Sequence, residues 1–297
     1  MNRDLSRILV GSDLTPGARR VQSRALRLPL ARNAALELLH AVPRTAPGSF
    51  EAEVRRAALA ALEREAGRLR RSATTVRVRT TLGSGEPAAA LMGAARARRA
   101  ELVTVGAHGP RGLPDLDLGS TAEHLIQHGG VPVLVVRRVP RGPYRHLLVA
   151  VDLGGSYRTA LDLALRWMAP AGCRITMIHA LEPPPESALR LAGTTADELE
   201  RYQQRAEEEV GAMLETEARR LERLGYAVEP TIARGDPRSV LALAAKRLKA
   251  DLVVLGSRRA MERTGLLLGS VARRLARQAP CDVLVARPAV GRRPRRN

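Results

Sequence analysis

The residues whose types and spacing could do chemistry are Gly106-Ala107-His108-Gly109, followed after nine residues by Gly119-Ser120-Thr121. The apolar run Leu102-Val103-Thr104-Val105 ahead of them reads as a buried strand, and a helix-like stretch runs from Gly119 to His128. Glycines let backbone N–H groups approach an anion closely, and a serine hydroxyl adds a donor. The start of a helix supplies unpaired amides and the positive end of its dipole. Together these residue types predict a phosphate-holding loop. An ordinary strand-to-helix turn, with glycines only for sharp bends, is the alternative that a single copy leaves open.

The pattern occurs twice. Leu252-Val253-Val254-Leu255-Gly256 is followed at the same distance by Gly269-Ser270-Val271. Val131-Pro132-Val133-Leu134-Val135-Val136-Arg137 matches Cys281-Asp282-Val283-Leu284-Val285-Ala286-Arg287. Arg7 to Asp13 matches His146 to Asp152, Leu38-Leu39-His40-Ala41 matches Met177-Ile178-His179-Ala180, and Gly85-Glu86-Pro87 matches Gly235-Asp236-Pro237. Repetition on this scale predicts two copies of one domain. The expected boundaries are 3–139 for the first, 140–144 for a linker with Pro140, Gly142 and Pro143, 145–288 for the second, and 289–297 for a disordered basic tail.

The elements that must position the loop follow from periodicity. Arg7 to Asp13 and Leu36 to Val42 read as strands, and Thr15 to Arg32 carries Val21, Ala25, Leu28 and Ala31 at helical spacing. Glu51 to Arg71 is a second helix, and Val76 to Leu82 alternates in the manner of an edge strand. Pro87 opens a third helix, and Val131 to Val136 closes the half. Strands alternating with helices imply a parallel sheet covered on both faces, with ligands bound beyond the carboxyl ends of the strands. Asp13, Ala41 and Gly106 all lie at such ends. The second half adds eleven residues between its second and third strands, including Pro183-Pro184-Pro185 and a charged helix from Thr195 to Arg223.

Composition narrows the function classes. The 297 residues hold two cores of ordinary size, and with aromatics at 2% those cores must be aliphatic. The net charge of +19 raises nucleic acid as a partner, but the charge is almost all Arg spread along the chain, beside only two lysines, Lys246 and Lys249. That distribution fits a GC-rich genome better than a focused patch, Arg292-Arg293-Pro294-Arg295-Arg296 excepted, so nucleic acid is not expected. Cys173 and Cys281 stand at non-equivalent positions, which argues against a disulfide or thiolate metal site. With no apolar run of membrane-spanning length and no signal segment, a cytoplasmic protein without membrane contact is expected.

Other clusters carry less. His124 and His128 share a helix face, but neither a following Glu nor a third ligand completes a metal site, and none is expected. His40 and His179 each end the second strand of a half and read as structural. No nucleophile, base and orienting group stand together, so catalysis has no candidate residues beyond His108, within the loop, for slow ATP hydrolysis or phosphotransfer.

Gly106-Ala-His-Gly109, the nine-residue spacer, Gly119-Ser120 and the closing Val133-Leu134-Val135-Val136-Arg137 closely resemble the universal stress protein family. The resemblance covers nearly the whole chain as two tandem copies. It implies two Rossmann-like, flavodoxin-like, doubly wound α/β domains, each with a five-stranded parallel sheet. It further implies ATP, accompanied by Mg, as the ligand of a stress-response module. Asp13 and the backbone near Ala41 would contact the adenosine, with Gly106, Gly109, Gly119, Ser120 and Thr121 around ribose and phosphates and Ser12, Val105 and His108 flanking them. A variant second site would use Asp152, Ala180, Gly256, Gly269, Ser270 and Val271, but Arg258 and Arg259 replace the loop His and second glycine. A weakened or lost second site is therefore expected, although paired guanidinium groups could hold phosphate instead. Family members dimerise through the last strand, which here implies packing between the two halves. A homodimer of whole chains stays open, as does a protein that binds no nucleotide and acts by assembly with itself or a partner.

Overall fold

The computed structural model describes residues 4–43, 49–107, 118–168, 172–182, 195–256 and 270–286. His108, Gly109, Arg258, Arg259, Gly269, the Pro183-Pro184-Pro185 run and the basic tail lie outside the described residues. The first half runs β1 (Leu5–Gly11), α1 (Ala18–Ala25), β2 (Leu30–Val42), α2 (Ser49–Ser72), β3 (Arg77–Ser84), α3 (Pro87–Ala97), β4 (Leu102–Gly106), α4 (Ser120–His128) and β5 (Val133–Val136). The second repeats it as β6 (His146–Ala150), α5 (Tyr157–Leu165), β7 (Arg174–Leu181), α6 (Ala196–Glu222), β8 (Ala227–Arg234), α7 (Pro237–Arg247), β9 (Leu252–Gly256), α8 (Ser270–Gln278) and β10 (Asp282–Ala286).

All strands join one ten-stranded sheet in the order β3-β2-β1-β4-β5-β10-β9-β6-β7-β8. Each half is parallel throughout, and the halves meet where β5 and β10 pair antiparallel, with Val135 opposite Val283 and Val133 opposite Val285. The last strands thus pair inside one chain. The outer edges are β3 and β8, the first carrying Arg77 and Arg79 and the second Pro230, residue types that discourage further strand addition.

The sheet is covered on both faces, with one apolar layer on each. Ile8, Val10, Leu36 and Leu38 face α1 and α2, and Leu147, Val149 and Ile175 continue the layer towards Tyr157, Leu161 and Leu214 of α5 and α6. On the other face Leu9, Val103 and Val105 meet Leu91 of α3 and Leu125 of α4, and Val253 and Val283 meet Leu241 and Leu275 of α7 and α8. Period-two strands that are apolar on both faces suit such a doubly covered parallel sheet. Arg137 Nη1 donates to the Ala276 carbonyl at 2.7 Å across the junction.

β1 is shifted two residues towards the N-terminus of the expected strand, ending at Gly11, β5 begins at Val133 rather than Val131, and two further elements differ more. The helix expected from Thr15 to Arg32 is α1 alone, because Pro29 cannot continue a helix and its carbonyl accepts from Leu5 N at 2.9 Å as β2 begins. β2 is accordingly longer than Leu36 to Val42, starting at Leu30 and absorbing an irregularity in its pairing with β1, where Asn33 has φ +64°. In α6 the N-terminal Thr195 forms a capping box with Glu198, each side chain bonding the other residue's backbone N–H. Glu207 of its acidic face pairs with Arg234 of β8 rather than within the helix.

Candidate functional site

In the first half the strand order reverses beside β1, whose neighbours β2 and β4 lead out to opposite sides. The carboxyl ends of β1, β2 and β4 thereby bring Ser12 and Asp13, Ala41, and Val105 and Gly106 together at one end of the sheet, where such folds form their ligand crevice. Gly11 closes β1 in tight quarters, since a Cβ there would lie 3.0 Å from Val105 Cγ1 and 3.3 Å from Leu91 Cδ1 and press those side chains aside.

The turn after β1 is built by side-chain bonds. Ser12 is buried, and its hydroxyl donates to Glu65 Oε2 at 2.8 Å while accepting from Leu14 N at 3.1 Å. Gln22 donates to the same carboxylate oxygen, so the buried Glu65 is held by two donors and anchors α2 to the turn. Asp13 Oδ1 accepts from Thr15 N at 3.0 Å and from Thr15 Oγ1 at 2.7 Å, an Asx turn that holds Leu14 at φ +59°. The other carboxylate oxygen and the N–H of Asp13 have no partner among the described residues.

Ala41 is placed by register. The β1–β2 pairing ends at Gly11 opposite Leu39, and Leu39 O accepts from Ser12 N at 2.9 Å. Alternate residues of a strand turn their backbone groups the same way, so Ala41 directs its N–H and C=O towards the space beyond the end of β1.

The third wall is the end of β4. Val105 is buried in the apolar layer, and Ala107 N donates to Val136 O at 3.3 Å. Gly119 N donates to Ala107 O at 2.7 Å and so ties the start of α4 to the end of β4. Gly119 precedes α4 without a side-chain cap, so among the described residues the first-turn amides of Ser120 and Thr121 have no capping acceptor. A donor set of uncapped helix amides beside glycine suits phosphate.

The equivalent positions in the second half are arranged differently. Asp152 Oδ1 accepts from Ser156 Oγ at 2.9 Å and Tyr157 N at 3.2 Å, so this carboxylate caps α5. A Cβ on Gly256 would fall 2.2 to 2.4 Å from the backbone of Ser156 and Tyr157, which shows how closely the start of α5 is seated on the end of β9. Val151 stands where Ser12 does and is buried; Ala180 and Val271 are half-buried, and Ser270 is the first residue of α8.

One contact that the sequence did not signal recurs in both halves. His40 Nδ1 lies 2.8 Å from Ser12 O, and His179 Nδ1 lies 2.8 Å from Val151 O. The only trace in the sequence is the repeated His-Ala at the end of each second strand, and Glu65 and Gln22 left no trace. Burial pushes the thiols of Cys173 and Cys281 up to about 12, so neither is a reactive group of the fold. His124 and His128 are exposed with ring centroids 4.5 Å apart. Among the described residues no three His, Cys, Asp or Glu side chains group as metal ligands, and no helix is long and apolar enough to cross a membrane.

Comparison with known proteins agrees with this architecture. The universal stress protein family matches residues 5–137 and again 143–287. A Thermus aquaticus protein described as a universal stress protein in the QAH/OAS sulfhydrylase 3' region is 31% identical over 146 residues, 48% of this chain and 99% of its own length. A Mycolicibacterium smegmatis universal stress protein is 30% identical over 201 residues, 64% of this chain and 63% of that protein. Among solved structures, a universal stress protein from Archaeoglobus fulgidus superposes with a TM-score of 0.69 at 19% identity, covering 96% of this chain and 98% of its own. One from Pseudomonas aeruginosa superposes with a TM-score of 0.59 at 20% identity, covering 96% and 94%. With two family matches that together span nearly all of its length, and one fold repeated in each half, the chain belongs to the universal stress protein family in its tandem form.

Proposed function

We propose that the protein is a nucleotide-responsive stress module that binds ATP, with Mg, in its first half and turns it over slowly or not at all. The observation that carries this reading is the meeting of the ends of β1, β2 and β4, where Asp13 keeps an N–H and a carboxylate oxygen without a partner among the described residues, near the end of β2 at Ala41. Ala41 and Asp13 would hold the adenosine. The uncapped start of α4 at Ser120 and Thr121, with Gly106, Gly109, Gly119 and His108, would hold the phosphates. Ser12 and Val105 would shape the walls, since the Ser12 hydroxyl is already committed to Glu65.

A separate observation supports a reading of the second half as a structural partner without a working nucleotide site. Asp152 is spent on capping α5, and α5 sits directly against Gly256. The second half then contributes the β10 edge that β5 would otherwise leave open.

Protein purified without added nucleotide, denatured and analysed by chromatography and mass, tests both readings. ATP or ADP near one per chain supports a single first-half site, and near two per chain overturns the reading of the second half. If nothing is released and titrated ATP fails to bind, or if Gly109→Arg leaves ATP affinity unchanged, the first-half site is wrong and action through assembly becomes the reading to pursue.

A further inference from the structure

We propose that His40 is a positioning residue: its ring N–H captures the Ser12 carbonyl and so keeps the Ala41 N–H available to a ligand in the first-half crevice. This rests on the reading of that crevice as the nucleotide site.

One rung of the ladder between β1 and β2 is not made. Between parallel strands every second residue faces a given neighbour, donating its N–H to one residue there and accepting at its C=O from the residue two further on. Ser12 N–H donates to Leu39 O at 2.9 Å, and the next rung in register would run from Ala41 N–H to Ser12 O. The pairing stops at Gly11 opposite Leu39, so that rung is absent. The oxygen it would use is taken instead by His40 Nδ1 at 2.8 Å. A carbonyl can only accept, so Nδ1 carries the proton and this bond fixes the tautomer of the ring.

The second half shows the same substitution of a histidine for a rung. Val151 N–H donates to Ile178 O at 2.9 Å, the pairing of β6 with β7 stops at Ala150 opposite Ile178, and His179 Nδ1 takes Val151 O at 2.8 Å. The turns that follow differ, one closed by Asp13 on Thr15 and the other by Asp152 on Ser156 and Tyr157. The latch is therefore a property of the strand ends and not of either turn. Without it, the Ser12 carbonyl is left as the acceptor for the next rung, which would consume the Ala41 N–H.

The test compares wild type, His40→Leu and His40→Asn in the full chain. Leucine fills the space without a donor, and the Asn amide nitrogen stands where Nδ1 stands. Hydrogen exchange at the Ala41 amide and ATP affinity are both measured, with the melting temperature as a check on folding. We expect His40→Leu to slow Ala41 exchange at least tenfold and to weaken ATP at least tenfold at an unchanged melting temperature, with His40→Asn close to wild type in both. Equal Ala41 exchange in wild type and His40→Leu overturns the proposal, as does ATP affinity that His40→Leu leaves intact. If wild type itself binds no ATP, the nucleotide reading fails, while slower Ala41 exchange in His40→Leu still upholds the latch. If His40→Leu does not fold, failure of His40→Asn to keep both wild-type exchange and affinity overturns the proposal.

Discussion

Arg24 Nε lies 3.0 Å from Asp282 Oδ2, an ion pair buried between α1 of the first half and β10 of the second. The same Asp282 oxygen accepts from the Tyr144 hydroxyl at 2.8 Å, and Oδ1 accepts from the backbone N–H groups of Arg137 and Arg138 at 2.8 and 3.2 Å. Arg24 also donates to Gly142 O at 2.9 Å and lies 4.0 Å above the Tyr144 ring. One carboxylate thus gathers both halves and the segment joining them.

Removing one member of a buried pair strands the other without compensation. Arg24→Ala is therefore expected to cost about 3–5 kcal/mol of unfolding free energy. Urea denaturation followed by circular dichroism measures it. A loss below about 1 kcal/mol, the scale of an exposed pair, would show that the junction is wet or yields easily.

The glycines at the strand ends should differ in what they tolerate. At Gly256 an added Cβ meets backbone atoms of Ser156 and Tyr157 at 2.2 to 2.4 Å, so α5 must move. At Gly11 the nearest atoms are side-chain carbons of Val105 and Leu91 at 3.0 and 3.3 Å, which can turn aside. Gly256→Ala should then cost more than Gly11→Ala, with overpacking of this kind typically about 1–3 kcal/mol and the backbone case at or above the upper end. Thermal melts of the two variants rank them, and equal melting temperatures would count against the close seating of α5.

Much of this arrangement was legible in the sequence. The repeat of strand, loop and helix landmarks was enough to require two copies of one α/β unit, because spacing and apolar period survive where individual residues change. The end of β4 could be placed at Gly106, and Ala41 falls one residue inside the end of β2 at Val42, but β1 stops at Gly11 rather than Asp13, because the side chains of Ser12 and Asp13 turn the chain away there. What was hidden depends on contacts between residues far apart in the chain. Nothing near Asp282 in sequence announces that Arg24, 258 residues away, is its partner. Periodicity carried the first helix past Pro29 because Leu28 and Ala31 continue its stripe, although proline ends a helix and the pairing of Leu30 with Leu5 begins β2 there. The histidine latch was invisible because a missing ladder rung is not a property of any residue type.

His146 gives a pH dependence. Its Nδ1 lies 3.0 Å from Leu248 O and its Nε2 3.0 Å from Thr176 Oγ1, with Arg174 Nη2 3.3 Å from Nδ1. Burial, and then the positive charge of Arg174, hold its pKa below the usual histidine value, against the pull of the Leu248 carbonyl, Asp251 and Glu229. Between the lowered folded pKa and the ordinary unfolded one near 6.5 the unfolded chain binds more protons, so stability falls as pH drops through that window. Above it the neutral ring costs nothing. Melting temperature followed downward from pH 7 should fall less in His146→Asn than in wild type, and parallel slopes would remove His146 as a source of acid sensitivity.

Asp13 separates turn geometry from charge. Its Oδ1 accepts from Thr15 N and Thr15 Oγ1, and an asparagine oxygen can do the same while an alanine cannot. Asp13→Ala should lose about 1 kcal/mol of stability, the usual net worth of such a bond, and loosen the strained Leu14 turn that aims the Asp13 N–H. In the proposed ATP site this should weaken affinity about tenfold, or 1.4 kcal/mol. Asp13→Asn should restore both the melting temperature and most of the affinity if the turn is what the site requires. Recovery of stability without recovery of ATP binding would instead assign the contribution to the carboxylate charge, with the oxygen that Thr15 does not use as the contact that matters.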